Sequence, residues 1–209
     1  MLEGYARKIL EVDLDSGELK DLPLDEEMAK MYLGGKGLGL KLVYNEFRPD
    51  MQPFDPDNLL VFATGPATGA RVPTSGRYPV VCSKSPQTGT VGSGNSGGNW
   101  GPYLKFAGYD AVVVRGISKE PVYLSIVDGK AKLVKAPEIW GMTVHAVTDE
   151  LTERTGEPKK TSVAWYRACR RKPDPLCQHH ERQVSDRRQD RAWGCNGQQE
   201  VKGYRGFRQ

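Results

Sequence analysis

Val122-Tyr123-Leu124-Ser125-Ile126-Val127-Asp128-Gly129-Lys130-Ala131-Lys132-Leu133-Val134 is the stretch whose reading decides the fold. Apolar and polar residues alternate on both sides of Asp128-Gly129, a dipeptide that suits a two-residue type I′ turn. The segment therefore reads as an antiparallel hairpin. A second hairpin is predicted near the N-terminus, where Lys8-Ile9-Leu10-Glu11-Val12-Asp13-Leu14 and Glu18-Leu19-Lys20-Asp21-Leu22 flank Asp15-Ser16-Gly17. Between the two lie short apolar runs bounded by Gly and Pro, at Leu59–Ala63, Pro79–Cys82 and Asp110–Gly116, which read as buried strands. Helices are expected after Asp25, a cap with acids in the first turn that stops at Gly34-Gly35, and from about Leu38 to Phe47. Two more are expected after Asn99 and from Thr143 to about Arg154, the last with Val144, Val147 and Leu151 on one face. Several strands, a few helices and antiparallel hairpins give an α+β fold rather than a doubly wound sheet.

The 209 residues suit one large domain or two small ones and are ample for a real core. No apolar run approaches the roughly 18 residues that a membrane span needs. The start, MLEGYARKILEVDLD, has no apolar core of a signal peptide, so a cytoplasmic protein is expected. The net charge of +4 hides an asymmetry. Residues 1–164 carry 19 Lys/Arg against 21 Asp/Glu, whereas residues 165–209 carry 11 against 5. That tail also holds Cys169, Cys177, Cys195, His179 and His180, with a single Leu and no Ile or Met. The break divides the chain into a compact part, 1–164, and a tail, 165–209.

The chemistry-bearing segment is the glycine-rich connection between Ala63 and Gly101. It contains Thr64-Gly65-Pro66-Ala67-Thr68-Gly69, Thr74-Ser75-Gly76-Arg77 and Gly92-Ser93-Gly94-Asn95-Ser96-Gly97-Gly98. Glycines let a backbone approach a ligand, and successive N–H groups make nests for anions. Arg77 adds a planar fork suited to phosphate, and Asn95 offers oxygens for a hard cation such as Mg2+. The run ends in neither the Lys-Ser/Thr of a P-loop nor the spacing of a dinucleotide fingerprint. The bland alternative is that these glycines serve tight turns and Arg77 makes a surface ion pair. His145 reads as a half-buried helix residue, Trp100 and Trp140 as core or edge packing, and Cys82 as a buried thiol. No catalytic constellation is visible in residues 1–164.

Gly65-Pro66-x-Thr68-Gly69, Pro73-Thr74-x-Gly76-Arg77-Tyr78, Ser83-Lys84-Ser85-Pro86-x-Thr88-Gly89, Asn95-Ser96-Gly97-Gly98 and Leu104-Lys105-Phe106-Ala107-Gly108-Tyr109-Asp110-Ala111 occur in order. With Val12-Asp13-Leu14-x-Ser16-Gly17 and Leu33-Gly34-Gly35-Lys36-Gly37-Leu38, they resemble the N-terminal domain of the tungsten-containing aldehyde ferredoxin oxidoreductases over about residues 5–164. The resemblance implies a β-rich base, with antiparallel sheets and a few helices, beneath a tungstopterin: two molybdopterin dithiolenes around one tungsten or molybdenum. It implies that Arg77, Asn95, Ser96, Gly97 and Gly98 contact the pterin phosphates, with the Asn95 carbonyl near a bridging Mg2+. Family members oxidise aldehydes to carboxylic acids and pass electrons through a [4Fe–4S] cluster to ferredoxin. The cluster ligands belong to C-terminal domains that this chain is expected to lack. Its expected partners are those domains, ferredoxin and an aldehyde, with a homodimer open and no nucleic acid or membrane. The alternative is a stand-alone pterin- or phosphate-binding module without catalysis.

After Ala164 the pattern fails, and codon arithmetic suggests why. Trp165 is TGG, and reading one base later forces Gly. The following residues then permit Ile-Gly-Pro-Ala-Gly-Glu-Asn-Leu under Tyr166 to Pro173, where the family expects Gly-x-Gly-Pro-Ala-Gly-Glu-Asn. Arg187 to Arg191 permit Ala-Gly-Arg-Thr-Gly, Trp193 again forces Gly, and Gly194 to Lys202 permit Ala-Val-Met-Gly-Ser-Lys-Lys-Leu-Lys. A one-base frameshift near Ala164 is therefore expected, leaving a poorly packed tail. A zinc site from Cys169, Cys177, His179, His180 and Cys195 lacks the CxxC pair that sets tetrahedral geometry. Nucleic-acid binding through the basic tail is the remaining rival.

Overall fold

Eight strands and four helices form among the residues described by the computed structural model, 3–73, 75–86, 88–156 and 161–164. In chain order they are β1 (Lys8–Asp13), β2 (Leu19–Pro23), α1 (Glu26–Tyr32), α2 (Gly35–Glu46), β3 (Leu60–Ala63), β4 (Tyr78–Cys82) and β5 (Gly92–Ser96). Then follow α3 (Trp100–Phe106), β6 (Ala111–Arg115), β7 (Val122–Val127), β8 (Lys130–Lys135), a 3-10 turn (Pro137–Ile139) and α4 (Val144–Glu153). The architecture is α+β, as the hairpins predict. No helix among the described residues is long and apolar enough to cross a membrane. The frameshift, zinc and nucleic-acid readings all fall on residues 165–209, outside the described residues.

Local signals act where they stand. The Asp25 carboxylate accepts the amide of Met28, and the Thr143 hydroxyl accepts the amide of Ala146, so both helix starts are capped by their own side chains. Asp128 and Gly129 adopt φ of 48° and 74°, as a type I′ turn requires, and β7 pairs with β8 from Val122↔Lys135 to Val127↔Lys130.

The main sheet has six strands in the order β2-β1-β6-β3-β4-β5. Its pairs are antiparallel except β1 with β6, which run parallel from Ile9↔Ala111 to Asp13↔Arg115. Alternate residues sort onto two buried faces. Ile9, Val61, Ala63, Val81, Ala111 and Val113 face α1 and α2, packing with Ala29, Leu38 and Val43. Leu10, Val12, Leu60, Tyr78, Val80, Val112 and Val114 face Trp100 and Leu104 of α3 and Val122, Leu124 and Ile126 of β7. A sheet covered on both sides explains why Ala111-Val112-Val113-Val114 is a continuous apolar run. A third cluster joins Ala136, Ile139, Val147, Leu151 and Val163, so the chain is still packed at that point.

Strand β5 lies at the open edge of this sheet, and its neighbour β4 carries a buried proline at its second position. Both features bear on the site.

Candidate functional site

Two of the glycine-rich segments meet at that edge. The segment quoted above as Gly92 to Gly98 is not all connection: Gly92–Ser96 is β5, held by β4 in the register Tyr78↔Ser96, Pro79↔Asn95, Val80↔Gly94, Val81↔Ser93 and Cys82↔Gly92. Glycine has poor strand propensity, so this strand exists because β4 offers it a ladder. Asn95 stands opposite Pro79 and shares its face. Arg77 lies two residues before Pro79, just ahead of the start of β4. The Arg77 and Asn95 side chains are exposed. Ser96 stands opposite Tyr78 on the other face and is buried, while Gly97 and Gly98 are half-buried.

The two segments touch without side chains between them. A Cβ placed on Gly76 would lie 2.5 Å from the carbonyl oxygen of Gly98, so only glycine allows the backbone that delivers Arg77 to come so close. At Gly97, by contrast, a Cβ would meet nothing within 4 Å. No carboxylate among the described residues pairs with Arg77, although Arg48, Arg115 and Arg154 all have acidic partners. The surface-ion-pair alternative for Arg77 therefore finds no support among those residues. A guanidinium without a carboxylate partner among the described residues and a side-chain amide, at an edge with little side-chain bulk, are groups of the kind a phosphorylated ligand takes.

The first glycine segment is fixed from beneath. The Asp110 carboxylate, fully buried, accepts the amides of Ala6 at 3.1 Å and Arg7 at 2.6 Å and is ion-paired with Lys105, whose side chain is 9% exposed. Burial pushes the Lys105 ammonium below the usual lysine range, with Asp110 pulling the other way. Lys105 also lies over the Tyr5 ring, and the Tyr5 hydroxyl donates to the Leu33 carbonyl at 2.7 Å. Burial, then Asp110, raises the Tyr5 hydroxyl pKa. The Asp110 carbonyl accepts both the amide and the hydroxyl of Thr64 at 2.8 Å, and the Thr64 carbonyl accepts the amide of Gly35 at the start of α2. From this anchor Gly65-Pro66-Ala67-Thr68 makes a β-turn with the Thr68 amide donating to the Gly65 carbonyl at 3.0 Å. The Thr68 hydroxyl accepts the Gly65 amide at 3.0 Å and donates to the Arg77 carbonyl at 3.4 Å.

The sequence singles out Arg77 and the Asn95 segment but assigns no role to Thr64, Thr68, Lys105 or Asp110. The visible signal was the turn itself, Pro at its second position and Thr at its fourth. Trp100 and Cys82 are buried as expected. Trp140 is 48% exposed, and His145 is exposed on α4 rather than half-buried. Among the described residues no cluster of three or more His, Cys, Asp or Glu could hold a metal ion.

Comparison with known proteins bears on this geometry. The family profile described as aldehyde ferredoxin oxidoreductase, N-terminal domain, matches residues 9–166. The tungsten-containing aldehyde ferredoxin oxidoreductase of Pyrococcus abyssi is 44% identical over 154 residues, covering 74% of this chain and 25% of that protein. The aliphatic sulfonate oxidoreductase WOR-like subunit of Pyrococcus furiosus is 39% identical over 143 residues, 66% of this chain and 22% of that subunit. Among solved structures, the active-site complex BamBC of benzoyl coenzyme A reductase with 1,5-dienoyl-CoA superposes with a TM-score of 0.84 at 28% identity, over 99% of this chain and 31% of that one. The chain spans about a quarter of the length of the curated relatives it matches.

Proposed function

The chain belongs to the aldehyde ferredoxin oxidoreductase N-terminal domain family, and from that premise we propose that residues 1–164 form the surface that receives the phosphorylated ends of a tungstopterin. The observation that supports this reading is the β4–β5 register, in which Asn95 stands opposite Pro79, two residues after Arg77, at an edge with little side-chain bulk. Arg77 supplies the fixed positive charge for a pterin phosphate. Gly97 and Gly98 supply backbone that a phosphate can approach, and the Asn95 carbonyl is the oxygen for a bridging Mg2+. Ser96 belongs to the same segment, and its burial opposite Tyr78 suits it to shaping the strand end beside the phosphate. When bound, the tungsten or molybdenum centre supplies the two-electron chemistry that turns an aldehyde into a carboxylic acid.

The remaining requirements lie elsewhere. We assign the [4Fe–4S] cluster, the acid–base groups and the ferredoxin contact to domains corresponding to the remainder of the longer relatives, in a cytoplasmic enzyme. Residues 165–209 are, on this proposal, text read one base out of frame. The family match stopping at residue 166 supports it, as do the two tryptophans that force glycine in the shifted frame. The gene sequence decides the point: codons incompatible with Gly-Ile-Gly-Pro-Ala-Gly-Glu-Asn under Trp165 to Lys172 end the frameshift idea.

The chain as written is proposed to be inactive but still to hold phosphate. Isothermal titration with inorganic pyrophosphate is expected to show binding that Arg77→Ala weakens by about tenfold or more. Equal binding by wild type and Arg77→Ala would remove the basis for this reading.

A further inference from the structure

We propose that Thr68 is a positioning residue for Arg77, its hydroxyl fixing the backbone from which the guanidinium reaches phosphate; this rests on the phosphate-binding reading of Arg77. Thr68 is 7% exposed and closes its own turn twice, amide to the Gly65 carbonyl and hydroxyl from the Gly65 amide. The one hydrogen on that hydroxyl is left to point across to the Arg77 carbonyl, nine residues on. Its direction is not free. Threonine is stiff about its first side-chain torsion, and its methyl group lies 3.4 Å from where a Cβ on Gly101 would stand, wedged against the start of α3. With the methyl held, the oxygen faces the gap between the two glycine segments.

The bond to Arg77 stands at a junction. Behind it, Thr64 ties the turn to the buried Asp110 carbonyl; ahead of it, Tyr78 begins the ladder that carries Asn95. Residues 70–73 are exposed, and the Gly69 amide donates to the Ser75 carbonyl across them. Without the Thr68 hydroxyl, the contacts left near Arg77 among the described residues include that bond and Gly76 against Gly98. The expected consequence is a loss of preorganisation at the guanidinium rather than loss of the fold.

The test uses the full chain and inorganic pyrophosphate in isothermal titration. Thr68→Val, which keeps the shape, is expected to raise the dissociation constant about tenfold, the equivalent of one lost hydrogen bond. Thr68→Ser, which keeps the hydroxyl, should bind within about twofold of wild type on the same reasoning. Adding Thr68→Val to Arg77→Ala should change nothing further, because the two residues act as one unit. If Thr68→Val does not fold, Thr68→Ala reads the same loss. Unchanged binding by the hydroxyl-free variants, alongside weak binding by Arg77→Ala, overturns the positioning role and leaves the phosphate reading standing. Failure of Thr68→Ser to restore binding overturns it too. Unchanged binding by Arg77→Ala overturns the phosphate reading and this inference with it.

Discussion

Replacing Lys105 by methionine should cost this protein about 3 kcal/mol. Removing one member of a buried ion pair typically costs about 3–5 kcal/mol, because the other charge stays behind unpaired. Here the stranded group would be the Asp110 carboxylate, which is fully buried but keeps the amides of Ala6 and Arg7. Two charge-assisted hydrogen bonds remain and methionine refills most of the volume, which places the figure at the lower end. For a chain of this size, about 3 kcal/mol corresponds to a fall in Tm of roughly 6–12 °C. Asp110→Asn should be worse. It leaves the Lys105 ammonium without its counter-charge and turns one acceptor into a donor facing a backbone amide. Urea and thermal unfolding of the two variants, followed by circular dichroism at neutral pH, measure both numbers. A Lys105→Met variant within about 1 kcal/mol of wild type, or an Asp110→Asn variant milder than Lys105→Met, would refute the account of this pair as a mutually dependent anchor.

Two further outcomes follow from local geometry. The Asp13 carboxylate accepts the amides of Asp15 and Ser16 in the β1–β2 turn, and the Ser16 amide, followed by that of Asp15, holds its pKa below the usual carboxylate value. A lowered folded-state pKa gives stability that is complete above the unfolded value and lost as pH falls through the folded one. Asp13→Ala should therefore cost about 1 kcal/mol at pH 6, a gap that closes below about pH 4 in urea titrations. Gly39→Ala should destabilise by about 1–3 kcal/mol despite alanine's better helix propensity, since its Cβ would lie 2.8 Å from a methyl of the buried Val81. Gly97→Ala meets nothing and should leave Tm unchanged while weakening pyrophosphate binding, which separates packing from ligand approach in one calorimetric comparison.

What the sequence disclosed was what short stretches decide for themselves. Asp128-Gly129 announces a hairpin because two residues set the turn, and Asp25 and Thr143 announce helices because a cap acts across three residues. The parallel pairing of Ile9–Asp13 with Ala111–Arg115 spans about a hundred residues and leaves no local mark. Gly92–Ser96 hides as a strand because its composition argues against one and only its partner creates it. At the site, residue types showed that Arg77 and Asn95 suit phosphate. That Asn95 stands opposite Pro79, two residues after Arg77, follows from a register that no count of glycines contains. Lys105 and Asp110 were legible as part of a motif, but five residues' separation does not tell whether a pair is buried or solvated.

The position of β5 at the margin of the sheet has a consequence for how this edge behaves in time. Only β4 holds it, so its backbone is bonded on one side and alternate amides face away from the sheet. Amide hydrogens of Ser93 to Ser96 should exchange with deuterated solvent well before those of β1, β3 or β6. A rim that can lift by itself would let a bulky charged guest slide in and settle while the two buried layers behind it stay shut.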